Sequence, residues 1–312
     1  MKTLSVVIPA YNEDANVENT ANVLSQLLEK NGINYELVFV DDGSKDKTWD
    51  KLSELTHTHK GITAIKFSKN FGKEGAIFAG LKTAKGDACV VMDCDLQHPP
   101  ETLIEMYNIW LNNDVDVVEA RKSSRGKESL LYKIFAKSFY KLFQSSSGID
   151  LKRASDFKLM DRKAVDALNE MPERLTFFRA LSSWVGFKTE VIYFDVAPRK
   201  TGQSKWSFKK LFRFAIDSIT SFTTLPMHIV TFFGALFSVF AVIMAINTLF
   251  NFFSGKALEG FSTVILLVLI TGGIIMLSLG IIGYYLSKIY EEIKFRPRYI
   301  ISQKLESKED KI

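Results

Sequence analysis

Residues Ala88–His98 read ACVVMDCDLQH: five apolar positions run straight into two carboxylates two residues apart. A short continuous apolar run of this kind is a strand buried on both faces, as in a parallel sheet covered by helices. Asp93 and Asp95 then stand at its carboxyl end, where such sheets bind ligands. Two like charges there are costly unless something positive sits on them. Hard divalent cations take such oxygen ligands, with phosphate oxygens and water completing the shell. The position predicts metal and nucleotide binding; the alternative is a solvated turn.

Working outward, Leu4–Pro9, Tyr35–Val40, Ile62–Phe67 and Val115–Ala120 read as further strands. Val17–Lys30, Lys47–Thr58, Glu74–Ala84 and Glu101–Asn112 read as helices between them. That alternation predicts an α/β domain with a mostly parallel sheet. Two more strands end in acid, at Pro9-Ala10-Tyr11-Asn12-Glu13 and at Asp41-Asp42-Gly43-Ser44. Gly43 allows a sharp turn, and a carboxylate beside it can hold a ribose hydroxyl or base edge. Taken singly, each is a strand-to-helix turn with a cap. Three acidic ends on one rim point to one site. Asn70-Phe71-Gly72-Lys73-Glu74-Gly75 opens a helix whose amides can receive an anion. It lacks the spacing of a P-loop, which argues against a nucleotide-hydrolysing engine. His98, before Pro99-Pro100, reads as a surface turn.

The 312 residues carry 40 Lys+Arg against 35 Asp+Glu, a formal charge of +5, but the distribution is uneven. No Asp, Glu, Lys or Arg occurs in the 38 residues between Asp217 and Lys256, or in the 28 between Glu259 and Lys288. A spanning helix needs about 20 apolar residues. Both runs exceed that, which excludes a freely soluble protein and predicts a charged domain followed by a two-helix anchor. Amphipathic helices are expected at Gly126–Gln144, against the sheet or the membrane surface, and at Trp206–Phe222, lying in the interface. Basic residues flank the pair of runs, Arg199 to Arg213 before and Lys288 to Arg298 after, which places both termini on the cytoplasmic side. Cys89 and Cys94 build no disulfide framework and fit a reducing compartment. The N-terminal apolar run is too short for a signal peptide. The expected organisation is a cytoplasmic domain at 1–205, a juxtamembrane helix at 206–224, the anchor at 225–287 and a basic cytoplasmic tail at 288–312. Gly272, Gly273, Gly280 and Gly283 offer close helix contacts, within one chain or in a homo-oligomer.

Together SVVIPAYNE, VDDGSKDKTW, FSKNFGKEGAIFAGLKTAKGD, DCDLQHPPE, SDFKLMDR and RKTGQSKWSF resemble the polyprenyl-phosphate glycosyltransferases, inverting family-two enzymes of the GT-A fold. The two spans bring the chain closer to the bactoprenol-phosphate glucosyl- and N-acetylglucosaminyltransferases than to dolichol-phosphate mannose synthase. The resemblance implies that Pro9, Tyr11, Glu13 and Asp42 hold the donor nucleoside. It implies that Asp93, Asp95 and Gln97 surround Mg²⁺ or Mn²⁺ and the donor diphosphate. Asp156 matches the proposed catalytic base, and Arg199, Ser204 and Lys205 match a phosphate-contacting loop. Arg121 and Arg125 fall where the lipid phosphate binds. Implied partners are a nucleotide sugar, UDP-glucose or UDP-N-acetylglucosamine, polyprenyl phosphate and membrane lipid, with a flippase and a second transferase later in the route. Nucleic acid is not expected. The QxxRW motif of polymerising relatives is absent, which argues against polysaccharide synthesis. The competing readings are a transferase to another membrane acceptor, such as diacylglycerol, and a catalytically degenerate scaffold.

Overall fold

The computed structural model describes residues 2–123, 144–145, 155–173, 177–195, 220, 225–255 and 260–307. Arg125, Arg199, Ser204 and Lys205 lie outside these residues, as do almost all of the two stretches expected as amphipathic helices. The chain divides into two units, Met1–Lys205 with Pro297–Ile312, and Trp206–Arg296.

In the first unit, β1 (Thr3–Ala10) is buried from Leu4 to Ala10 and takes the middle of an eight-stranded sheet. β2 (Asn34–Asp41) and β4 (Ala88–Val91) pair in parallel on its two sides, and β3 (Ile62–Phe67) extends the sheet in parallel beyond β2. The helices between them are α1 (Val17–Lys30), α2 (Thr48–Thr58), α3 (Lys73–Thr83) and α4 (Pro100–Asn112). α1 turns Val17, Ala21, Leu24 and Leu28 inward at helical spacing, whereas α3 is buried from Gly75 to Leu81. A Cβ on Gly80 would collide with Val7, so glycine is what lets α3 lie against β1.

The other half departs from parallel winding. β5 (Val117–Lys122) reaches two residues beyond its expected end. β6 (Lys158–Asp161) inserts antiparallel between β4 and β5, and β7 (Thr189–Phe194) pairs with β5 in parallel. Between β6 and β7 run α5 (Arg162–Glu170) and α6 (Phe178–Trp184). The full order is β7-β5-β6-β4-β1-β2-β3-β8.

The last strand corrects the expected tail. β8 (Ile301–Glu306) pairs antiparallel with β3 and covers that sheet edge, which would otherwise offer unpaired backbone groups. Tyr299 stacks on Phe67 with ring centroids 5.1 Å apart. Four of the six residues of β8 are polar or charged, so its sequence reads as a solvated tail; only the ladder shows it to be structural.

In the second unit, α7 (Leu225–Phe253) and α8 (Phe261–Ile293) carry two candidate spans, Pro226–Phe253 and Leu266–Ile293. Each has 28 residues, with mean hydropathy 2.6 and 2.5. At 1.5 Å per residue each is about 42 Å long, enough to cross about 30 Å of hydrocarbon. Phe250, Phe252, Leu269 and Met276 are exposed, as lipid-facing side chains are. A Cβ on Gly272, Gly273, Gly280 or Gly283 would meet nothing within 4 Å, so these glycines face open space.

Candidate active site

β1, β2 and β4 end on one rim, and their loops are tied together. The Asn12 amide donates to Ser44 Oγ at 2.9 Å, and the Lys45 amide to Asn12 Oδ1 at 2.9 Å. Asn12 sits at φ +54°, a left-handed conformation that asparagine tolerates. Pro9 is buried in β1, and Tyr11 stands exposed on the rim. Glu13 accepts from Asn16 Nδ2; burial first, then Asp95 and Asp93, push its pKa upward.

Asp42 serves structure first. Its carboxylate is 3% exposed and accepts from the Phe71 amide at 2.7 Å and the Gly72 amide at 2.9 Å. Burial raises its pKa, and those two hydrogen bonds oppose the rise. The amides at the entrance of α3 do receive an anion, as their position predicts, and the anion is the protein's own. The hydrogen bonds of Asp42 run to this loop; the nucleoside contact that the resemblance implies would be made in addition to them. Gly43 is at φ +68°, and a Cβ there would lie 2.7 Å from the Asn70 nitrogen. Only glycine fits this turn.

The β4 end is built differently. Thr20 Oγ1 donates to the Cys94 carbonyl at 2.7 Å, and the Gln97 amide to Asp95 Oδ1 at 3.1 Å. Leu96 sits at φ +53°, a conformation costly for a bulky residue and held only where the surroundings enforce it. His98 is not a surface turn. It is 4% exposed, stacked on Phe157 at 4.7 Å, and its Nδ1 faces the Asp93 amide at 3.3 Å. Burial lowers its pKa, which suits a neutral ring accepting that bond. Cys94 is buried, and burial raises its thiol pKa far above the ordinary value.

Phe157 joins the Asp93 loop to Asp156. Ser155 Oγ donates to the Ala120 carbonyl at 2.5 Å and receives the Phe157 amide at 3.1 Å, which pins the segment to β5. Asp156 is 4% exposed and accepts from Arg179 Nε at 2.7 Å, Arg179 Nη2 at 3.0 Å and Lys73 Nζ at 2.8 Å. Lys73 also lies 2.6 Å from Asp93 Oδ1. Burial opposes ionisation of both acids, yet Lys73 holds Asp93 below its ordinary pKa, and Lys73 with Arg179 holds Asp156 far below it. Glu74 accepts from the Phe178 amide at 2.8 Å; burial and repulsion by Asp156 push it up to about 7.

Arg121 donates to Glu119 Oε2 at 3.1 and 2.9 Å. Glu119 also lies 3.6 Å from Lys158 Nζ, and Lys158 is 1% exposed. Arg121 is thus engaged in an ion network that joins β5 to β6.

Sequence reading therefore brings Asp93, Asp95, Glu13 and Asp156 to one rim and misses the cations between them. Lys73 stands inside a quoted motif without having been given a role. Arg179 lies in LTFFRAL, where nothing in the spacing marks it. Among the described residues no group of three or more His, Cys, Asp and Glu is arranged to hold a metal. Asp93 and Asp95 offer two hard carboxylates, which suit a divalent ion completed by substrate phosphates and water. Asp93 Oδ2 has no hydrogen-bond partner among the described residues, and Asp95 and Asp93 add to burial in raising the pKa of Glu13, so the donor set fits.

This rim of acidic strand ends over an α/β sheet is that of a GT-A glycosyltransferase. The chain belongs to Glycosyl transferase family 2, whose description matches residues 5–168. It is 39% identical to a glycosyltransferase of Synechocystis sp. over 301 residues, 96% of this chain and 94% of that one. It is 35% identical to the prophage bactoprenol glucosyl transferase homolog of Escherichia coli over 305 residues, 96% and 98% of the two chains. The fold matches glucosyl-3-phosphoglycerate synthase of Mycobacterium tuberculosis, solved with Mn²⁺, UDP and phosphoglyceric acid. That match has TM-score 0.53 and 20% identity and covers 70% of this chain and 76% of that one.

Proposed function

We propose that the protein transfers one sugar from a nucleotide donor, UDP-glucose or UDP-N-acetylglucosamine, to undecaprenyl phosphate at the cytoplasmic membrane face. The observation that carries this reading is a family-two domain joined to two apolar spans. That whole arrangement aligns with relatives named for bactoprenol glucosyl transfer over 96% of the chain. A lipid acceptor requires a catalytic domain held at the membrane surface. The basic flanks of the two runs favour both termini on the cytoplasmic side.

In the proposed reaction an oxygen of the acceptor phosphate forms a bond to the anomeric carbon from the face opposite the diphosphate. The bond from that carbon to the diphosphate oxygen breaks, and its electron pair leaves with the nucleoside diphosphate. An α-linked donor thus becomes a β-linked lipid phosphosugar. A phosphate monoester is mostly dianionic at pH 7, so the attack needs no proton removal. Asp93 and Asp95, with Gln97 beside them, would hold Mg²⁺ or Mn²⁺, which supplies charge neutralisation for the departing diphosphate. Lys73 places a fixed positive charge between Asp93 and Asp156. A flippase and a second transferase would then use the lipid phosphosugar to decorate an envelope polymer.

The test is a donor panel with the purified full chain, undecaprenyl phosphate and Mg²⁺ or Mn²⁺, read by mass spectrometry of extracted lipid. A lipid phosphosugar from one donor, lost with chelator and in Asp95→Asn, establishes the reaction. A folded, nucleotide-binding protein that makes product only with diacylglycerol, or none at all, refutes it in favour of another acceptor or a scaffold.

A further inference from the structure

Asp93, Lys73, Asp156 and Arg179 form an unbroken row of alternating charge, with successive contacts of 2.6, 2.8 and 2.7 Å. The row is asymmetric in burial. The Asp156 side chain is 5% exposed, whereas those of Lys73 and Arg179 keep 41% and 38%. An ammonium has three N–H donors and a guanidinium five. Lys73 directs two of its donors at carboxylates and Arg179 two of its own; those left over have no partner among the described residues. Two cations are thus fixed from behind by one buried acid, with donors to spare on exposed side chains. Lys122, the last residue of β5, adds a third positive charge. Burial first, then Arg179 and Lys73, lower its pKa, while Asp93 and Asp156 oppose the fall.

Such a constellation suits an oxyanion with several acceptor atoms, and a phosphate monoester most directly. Position within the row separates two phosphate sources. The Asp93 end adjoins the carboxylates assigned to the donor diphosphate. Among the described residues the Arg179 guanidinium pairs with Asp156 alone, at the other end, with Lys73 between the two acids. Arg121, the earlier candidate for the acceptor phosphate, already donates twice to Glu119.

We propose that Arg179, with Lys73 beside it, receives the phosphate of the lipid acceptor, and that Asp156 is a positioning residue that aims the two cations and takes no proton. This rests on the lipid-phosphate reading above and names the residues of its acceptor side.

The experiment uses the full chain in detergent, with the sugar nucleotide that supports wild-type product and undecaprenyl phosphate, and varies each substrate separately. Arg179→Ala raises the acceptor KM ten-fold or more and leaves the donor KM within two-fold; Arg179→Lys gives a smaller rise. Should Arg179→Ala fail to fold, Arg179→Gln and Arg179→Lys carry the same comparison. A rise in donor KM with the acceptor KM unchanged assigns the cations to the diphosphate and overturns the proposal. A pH profile tests Asp156. In Asp156→Asn the acid limb of kcat/KM for the acceptor stays where the wild type has it, set by the phosphate's own second ionisation at roughly pH 6. Disappearance of that limb in Asp156→Asn makes Asp156 the titrating base and overturns the positioning role. A wild type that makes no lipid phosphosugar refutes the underlying reading. A productive wild type with kinetically silent Arg179 variants refutes this inference alone.

Discussion

β2 and β4 flank the same central strand, end on the same rim and both finish in acid, yet the two ends do opposite work. At the β2 end, Asp42 accepts from backbone amides of the Asn70–Gly72 loop and is closed to solvent. At the β4 end, Asp93 is paired with a half-exposed ammonium, and Asp95 remains half-buried beside it. Backbone donors are fixed by the fold, so an acid that takes them staples two loops together. A lysine can be drawn away by a ligand, so an acid that takes it can exchange partners. The kind of donor, more than the acid's place at a strand end, separates structure from chemistry.

Asp93→Asn should break activity hardest. Loss of a carboxylate that would hold the divalent ion weakens the neutralisation of the departing diphosphate, which corresponds to about 10²–10³ in rate. The lipid product assay reads it, with the melting temperature changing little because Lys73 keeps Asp156. Gly43→Ala sharpens the opposite side. A side chain at φ +68° that also meets the Lys69–Asn70 backbone should cost about 2–4 kcal/mol, read as a fall in melting temperature. A tolerated alanine would mean that the turn is looser than its contacts imply. Asp42→Asn comes next, at about 1–3 kcal/mol, because the Phe71 and Gly72 amides lose part of a charged acceptor. Its activity loss should be smaller than that of Asp93→Asn. A nucleotide affinity that collapses while the fold stays intact would reverse the comparison and make Asp42 a ligand group.

The strands and helices of the first 122 residues were largely readable because their apolar runs are long and their turns carry Gly, Asn and Asp. α1 matches its expected bounds, and β3 does as well. Beyond β5 the signal fails for physical reasons. β6 has four residues, begins with the buried Lys158 and pairs antiparallel, so neither apolarity nor alternation marks it. Lys158 survives there because Ser182 Oγ accepts from it at 2.9 Å and Glu119 lies nearby, partners that sequence does not show. The acids of the site were legible, since a charge after an apolar strand stands out. Arg179 was not, since an arginine on a short helix looks like a solvated one. His98 beside two prolines reads as a turn because its cover, Phe157 just before β6 and Phe194 at the end of β7, comes from far along the chain.

The smallest expected effect tests the acid between the two ends. Glu74 follows Lys73 in the first turn of α3 and is pushed up to about 7 by burial and by Asp156. In the unfolded chain it ionises near 4.5. Between these values the folded state keeps a proton that the unfolded state has released, so stability declines as pH rises through that window. Glutamine carries no charge and can still accept the Phe178 amide, so Glu74→Gln removes the decline. Its melting temperature relative to wild type should rise from pH 5 to pH 7.5 and level off above. After screening, the full effect is about 1 kcal/mol, or roughly 2–4 °C. A gap that stays constant with pH would mean that Arg179 keeps Glu74 ionised throughout. The row of charge would then extend one residue further along α3.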